Sequence, residues 1–402
     1  MTIETGKGQI SLLTLIAIWS VSAVTSLPGL AISPILDELN HIFPEASELE
    51  VQMLTSLPSL LIIPFVLLSG VLSVRCSSLG LLYAGLAIFF ASGVWCLVAR
   101  SIGSLIAASC LLGVGAGMVI PLSTGLVVRY FTGDYRVRQL GYSSAINNLT
   151  LVAATAAVGY LANANWHLPF AVYLISGVSL LLVVALRNTP PAEEPPKSDQ
   201  LKHSTIHAPR LTRLTALYFT ITYAVLAIAF YLSYRAEQLH ISSSVAGVIT
   251  SIFFLAIMLP GFFLGTIIRH LRGTTNIVAL VLIALGLFVT GTGITTEVIT
   301  LGVVLAGLGY GIMQPIIYDK AAIIAPPQQA TKALAVVMTA NYVAIVCCPF
   351  VIDALRHLVD GKGESFPFLL NGAVAAMTAF IALFNHGGFV LGLDKSYYEE
   401  GK

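Results

Sequence analysis

The chain has 402 residues, 57% of them hydrophobic and only 10% charged, with a formal net charge of +1. Soluble proteins carry roughly 25% charged residues, so water cannot cover most of this surface, and a soluble enzyme and a disordered chain are both excluded. The near-zero net charge gives no electrostatic basis for a nucleic-acid partner. The five cysteines, Cys76, Cys96, Cys110, Cys347 and Cys348, are odd in number and lie mostly in apolar runs. That fits neither a disulfide framework nor a zinc cluster, and no metal or other cofactor is expected.

A bilayer core of about 30 Å is crossed by roughly 20 apolar residues in a helix. Twelve stretches reach that length, at about 11–36, 52–73, 79–99, 103–128, 139–162, 168–186, 214–234, 244–268, 276–294, 299–324, 331–355 and 367–384. Barrel strands would alternate apolar and polar residues, and runs such as Leu81–Phe90 and Ile277–Val289 do not. The expected fold is therefore all-α and polytopic, with twelve transmembrane helices. The first span is too long for a signal-peptide core and lacks an Ala-x-Ala cleavage pattern.

Basic residues orient the chain. With both termini in the cytoplasm, sixteen Lys and Arg fall in inner loops and tails. Only Arg100, Arg235, Arg356 and Lys362 fall outside. A miscounted helix would invert this bias in everything after it, so the bias supports the count of twelve as well. The expectation is a multi-pass protein of the plasma membrane, a bacterial inner membrane, acting as a monomer.

The longest polar stretch, 187–213, holds Pro190, Pro191, Pro195 and Pro196 beside Glu193, Glu194 and Lys197. That composition reads as a cytoplasmic linker. It separates an N-terminal six-helix bundle, 1–186, from a C-terminal one, 214–402.

The two bundles repeat. Gly113, Gly115, Gly117 and Pro121 of the fourth span return at Gly307, Gly309, Gly311 and Pro315 of the tenth, always 194 residues on, and the same offset carries Asn147 onto Asn341. An offset of six helices means both copies enter the membrane in the same direction. Parallel six-helix repeats are a transporter architecture, with the solute site between the halves near the midplane. Gly113 and Gly117, like Gly307 and Gly311, stand four apart on one helix face and let a neighbouring helix approach closely. Pro121 and Pro315 each remove a backbone donor and supply a bend point.

On these features the chain resembles the major facilitator superfamily over nearly its whole length. The family's loop between helices two and three, Gly-x-Leu-Ala-Asp-Arg-x-Gly-Arg, appears as Gly70-Val-Leu-Ser-Val-Arg75-Cys-Ser-Ser. Gly70, Leu72 and Arg75 match, and Val74 replaces the aspartate. In helix four Gly113 and Gly115 match, with Ser109 where the family has arginine. Trp166-His167-Leu-Pro-Phe170 is similar to the family's Trp-Arg-x-x-Phe before helix six. Among relatives, the twelve-helix drug efflux group is the nearest likeness. In that group the helix-four arginine and an acid in helix one are linked with proton coupling. Ser109 replaces the first, and helix one has no acid before Asp37 and Glu38 at its outer end.

The resemblance implies a cavity ringed by helices one, four, seven and ten, with two, five, eight and eleven beside them. On helix ten, Gly311, Gln314 and Tyr318 share a face, as do Thr220, Tyr223, Ala227, Tyr231 and Tyr234 on helix seven. Asn147 and Asn148 on helix five, and Asn341 and Tyr342 on helix eleven, lie mid-span. An amide in hydrocarbon is costly unless hydrogen-bonded, so these residues face protein or water, either holding helices together or lining the cavity. The expected solute-binding set is Asn147, Asn148, Tyr223, Tyr231, Gln314, Tyr318, Asn341 and Tyr342. Asp319, about one turn inside the inner end of helix ten, either carries a coupling proton or pairs with Arg75 or Arg129 in an inner gate. Asp353 and Arg235 lie near outer ends, where they close the outer side; alternatively Arg235 captures an anionic substrate.

The expected function is secondary transport of a small organic solute by alternating access, first of all efflux of amphipathic compounds. The alternative is uptake or facilitated diffusion of a specific small metabolite or organic anion. A polytopic membrane enzyme would need clustered His, Asp, Glu or Cys at one depth, and the eight histidines are dispersed along the chain.

Overall fold

A computed structural model describes residues 2–28, 32, 35, 39, 41–46, 48–162, 164–187, 206–359, 363–385 and 387–393. The chain opens with an antiparallel hairpin that the sequence reading did not anticipate, β1 (Thr2–Glu4) paired with β2 (Gln9–Ser11). Gly6, at φ +82°, makes its turn possible. Tyr135 anchors the hairpin by donating to Glu4 Oε2 at 2.8 Å, and Thr132 N donates to Thr5 O at 3.0 Å.

Twelve α-helices follow among the described residues. They are α1 (Leu12–Val24), α2 (Glu48–Leu72), α3 (Ser78–Val98), α4 (Ile102–Tyr130), α5 (Gly133–Ala162), α6 (Ile175–Arg187), α7 (Ala208–Gln238), α8 (Ser243–Leu271), α9 (Thr275–Thr292), α10 (Thr296–Ile324), α11 (Ala330–Val359) and α12 (Phe366–Phe384). Among the described residues ten segments are long and apolar enough to cross a membrane; one of them, Val245–Thr292, contains most of α8 and all of α9, and α1 is a shorter apolar helix. The fold is all-α and polytopic. Serine starts several helices: Ser11, Ser77, Ser101 and Ser242 each accept a bond from the backbone N–H three residues on. The sixth span begins not as α-helix but as a 3-10 turn over Leu168–Leu174, with Pro169 at its entrance. Helices α5, α7 and α11 run several residues past their apolar stretches, because water at the helix ends tolerates polar side chains without breaking the backbone ladder. Of the expected linker, residues 188–205 lie outside the described residues.

The chain divides into two compact units: Met1–Arg136 with Ile146–Ile206 and Ala322–Thr339, and Val137–Ala145 with His207–Ala321 and Ala340–Lys402. In the first, α4 packs between α2 and α3, and α1 packs on α6. A Cβ added to Gly113 would lie 2.6 Å from the Pro58 carbonyl oxygen, and one on Gly117 would lie 2.9 Å from that of Ile62. Both glycines therefore press on α2. Gly115 turns the other way, to Phe89 N and Gly85 O of α3, at 2.7 and 2.9 Å.

The second unit repeats this contact pattern. Gly307 meets Phe253 O at 2.9 Å, and Gly311 lies against Ile257 O, both on α8. Gly309 lies against Ala279 O, with Ile283 Cγ1 at 2.8 Å, on α9. The partners keep the offset: Gly85 and Ala279, like Phe89 and Ile283, stand 194 apart. Neither pair matches in residue type, so only the contacts reveal this part of the repeat.

Beyond α12 the chain turns back on its own unit. Lys320 Nζ donates to Val390 O at 3.0 Å and Gly392 O at 2.7 Å, and Asn276 Nδ2 donates to Leu391 O at 3.1 Å. The Phe389 ring lies 5.9 Å from that ammonium and 5.5 Å from the Arg210 guanidinium carbon. Lys320 and its neighbour Asp319 are both fully buried. A buried ammonium is costly unless hydrogen-bonded, and here main-chain carbonyls supply the bonds.

Candidate functional site

The densest buried polar cluster forms where α10 meets α7. Tyr310, Gln314 and Tyr318 stand at successive steps of four on α10 and so share a face. Tyr218 and Thr222, one turn apart on α7, face them. The Tyr218 hydroxyl shares hydrogen bonds with Tyr318 at 2.7 Å and Tyr310 at 3.3 Å, and Thr222 reaches Tyr310 at 3.3 Å. Gln314 Nε2 donates to Tyr218 at 3.2 Å, with the Tyr310 and Tyr318 hydroxyls at 3.5 Å. Its carbonyl oxygen accepts from Ser144 Oγ of α5 at 2.9 Å.

Gln314 is the hub. Its amide has two protons and three hydroxyls within reach, so the donors are shared and can be re-dealt at little cost. Tyr218 and Tyr310 are buried, whereas Gln314 and Tyr318 are half-buried and open one side of the cluster. No charged side chain belongs to the cluster. Chemically it offers hydroxyl and amide groups for hydrogen bonding and no group that binds by charge.

The expected residues distribute as follows. Gln314 and Tyr318 lie in this cluster. Tyr223 and Tyr231 face elsewhere: Tyr223 packs with Ala344, Cys348 and Ile352 of α11, its hydroxyl buried without a hydrogen-bond partner among the described residues. Tyr231 sits under the Arg356 guanidinium, 5.3 Å from ring centroid to Cζ, and reaches Pro349 O at 3.5 Å. Asn147 ties α5 to the end of α1, donating to Thr25 Oγ1 at 2.8 Å and Ser22 O at 3.3 Å. Asn148 is buried, and Asn341 and Tyr342 are half-buried on α11.

Of the charged set, Arg75, Arg129 and Asp353 are exposed, and Asp319 is buried. Arg235 is buried and braced: one terminal nitrogen donates to Gln238 Oε1 at 2.7 Å, the other to Gly293 O at 3.0 Å at the end of α9. Both of these nitrogens already serve the fold.

Sequence reasoning missed Tyr218, Tyr310, Thr222 and Ser144. The four-residue spacing of Tyr310, Gln314 and Tyr318 was the available signal on α10. On α7 two tyrosine-bearing faces compete, and periodicity alone does not say which one meets α10.

Among the described residues no three His, Cys, Asp or Glu side chains gather as a metal site. A family model described as Major Facilitator Superfamily matches residues 14–349. Among solved structures the chain is similar to the proton:xylose symporter XylE bound to 6-bromo-6-deoxy-D-glucose, with TM-score 0.73 and 16% identity, over 96% of this chain and 98% of that one. It is also similar to the human organic anion transporter MFSD10 (TETRAN), with TM-score 0.67 and 16% identity, over 92% and 97% of the two chains. No match was found among curated proteins.

Proposed function

The chain belongs to the major facilitator superfamily, and from that premise we propose that it exports a small neutral or weakly polar organic solute across the plasma membrane by alternating access. It is a membrane-embedded, multi-pass transporter and not an enzyme. The observation that carries the proposal is the uncharged hydrogen-bonding hub at Gln314. Its donors and acceptors now satisfy one another, and a solute carrying hydroxyl, amide or aromatic groups would exchange those bonds for its own at small net cost.

In this reading the bundles 1–186 and 214–402 are the moving halves, both termini are cytoplasmic and the protein works as a monomer. Asn147, Asn148, Asn341, Tyr342, Tyr223 and Tyr231 line or support the solute path around Gln314 and Tyr318. Arg75, Arg129 and Asp319 act toward the cytoplasmic side, and Arg235 and Asp353 toward the other. A second reading, uptake of a specific polar metabolite, draws on the same uncharged hub: the similar symporter XylE is described with a bound sugar analogue.

Two measurements test the proposal. Gln314, Tyr318, Asn147 and Asn341 are each changed to cysteine in a background free of the five native cysteines. A polar thiol reagent is expected to label Gln314→Cys and Tyr318→Cys, with a transported compound slowing the reaction. If none of the four is labelled in any condition, the solute path lies elsewhere. Flux into proteoliposomes with and without an imposed pH gradient tests energy coupling. Downhill exchange is expected to survive Asp319→Asn with little help from the gradient, because Val74 and Ser109 replace the charged residues of the resembling efflux group and Asp319 is buried beside a lysine. Concentrative transport abolished by Asp319→Asn, with exchange intact, would instead make that carboxylate the proton carrier.

A further inference from the structure

At the end of the second unit where α5 begins and α8 finishes, the two helices come into backbone contact at Gly141 and Gly261. Beside that contact is a cavity of about 180 Å³ lined by Arg138 and Tyr142 of α5 and Phe262, Phe263, Gly265 and Arg269 of α8, among others. We propose that this groove binds the phosphate headgroup of an anionic phospholipid, with an acyl chain laid along the phenylalanines.

Four observations carry the proposal. First, both guanidiniums converge on one glycine. The Arg138 side chain lies across Gly265, its Nε 3.1 Å from where a Cβ would stand, and Arg269 Nε donates to Gly265 O at 3.2 Å. Any side chain at Gly265 would fill the space between the two cations.

Second, among the described residues the charge is unanswered. No carboxylate is among the residues that line the groove. Among the described residues Asp134, one turn before Arg138, makes no ion pair with it, and Arg269 bonds only through Nε. Two guanidiniums side by side repel, and a phosphate, which can accept a forked pair of bonds from each, relieves that.

Third, the apolar wall is open on a segment long and apolar enough to cross a membrane. Phe262 and Phe263 are 42% and 62% exposed. Tyr142 leans on Phe262 with ring centroids 6.2 Å apart, and an amphipathic ring of this kind suits the membrane–water interface. Fourth, Arg269 lies in the last turn of α8 and Arg138 in the second turn of α5, so both cations stand near the ends of their helices, where headgroups are expected to lie. A small inorganic anion would use the charges alone, whereas a phospholipid uses the charges through its phosphate and the phenylalanines through its acyl chain.

The test uses the full chain purified in neutral detergent, with thermal stability read while phosphatidylglycerol or phosphatidylcholine is titrated in. Phosphatidylglycerol is expected to raise the melting temperature saturably and phosphatidylcholine to do little. The Arg138→Gln/Arg269→Gln variant is expected to need about thirtyfold more phosphatidylglycerol for the same rise, from roughly 1 kcal/mol per basic residue at a membrane surface. Arg138→Lys/Arg269→Lys, which keeps the charge, serves if the glutamine variant does not fold, and should shift the titration less but in the same direction. Equal response to both lipids, or an unchanged titration in both variants, overturns the proposal. So does an arginine-dependent rise with inorganic phosphate or glycerol 3-phosphate as large as that with the lipid, which would make the groove a soluble-anion site.

Discussion

Leucine at Gly311 is expected to stop transport and to lower the stability of the folded protein, while leucine at Gly247 does neither. Gly247 lies on α8, and a Cβ there meets nothing within 4 Å. Gly311 lies on α10, and a Cβ there would run into the Ile257 carbonyl of that same α8. A side chain at Gly311 cannot rotate away, because its first atom already collides with main chain. The helices must separate, and overpacking of this kind costs about 1–3 kcal/mol or more. Gly307, one turn earlier, would lose its contact with Phe253 O in the same movement. Gly117→Leu in the first unit should behave alike, since Ile62 O and the Phe65 Cβ occupy the equivalent space. Thermal unfolding of each purified variant and its initial transport rate are the readouts. If Gly311→Leu melts and transports like Gly247→Leu, close helix approach is not what the glycine runs provide.

Gln314→Leu should reduce transport by more than tenfold and destabilise the protein by about 1–3 kcal/mol. The substitution keeps the volume and removes the hub. Tyr218 loses one of its three hydrogen bonds and Ser144 loses the Gln314 oxygen, and each lost bond costs about 0.5–1.5 kcal/mol. Tyr218→Phe should cost less, because Tyr310 and Tyr318 retain Gln314 within reach. Combining the two changes should cost less than their sum, with a coupling of about 0.5–3 kcal/mol, as expected of residues in one hydrogen-bonded network. Strict additivity would show that the cluster is a set of separate contacts. Unchanged transport by Gln314→Leu, with the predicted loss of stability, would show that the hub is structural and that solute binds elsewhere.

Much of the fold was legible because lipid leaves a chain few choices. Length and hydropathy sufficed to expect twelve helices, although the first, expected over 11–36, ends at Val24, and Gly113 and Gly307 exposed the repeat. The contacts behind it were less legible. Gly115 against Gly85 could be suspected from residue type, but Gly309 against Ala279 could not, since alanine is common in any membrane helix. The hub was half legible. Gln314 and Tyr318 stood out as polar groups on an apolar helix, whereas Tyr218 and Tyr223 on α7 look equivalent until packing turns one toward α10 and the other toward α11. Asn147 was read as either a tie between helices or a cavity residue, and its bonds to Thr25 and Ser22 are those of a tie. The N-terminal hairpin left almost no trace, since three-residue strands carry too little pattern to read.

The way Lys320 is held sets what may vary in the tail. Its ammonium is bound by the carbonyl oxygens of Val390 and Gly392, and Asn276 grips the oxygen between them. Every residue type has that oxygen, so most substitutions at 390 and 391 leave the clasp intact. Path length is a different matter. Seven residues separate Phe384, the last of α12, from Gly392. Losing one would draw the acceptors out of reach of a cation that has nowhere else to go. Substitution and deletion should therefore diverge sharply over these few positions, and divergence among relatives would appear there as free spelling at fixed length.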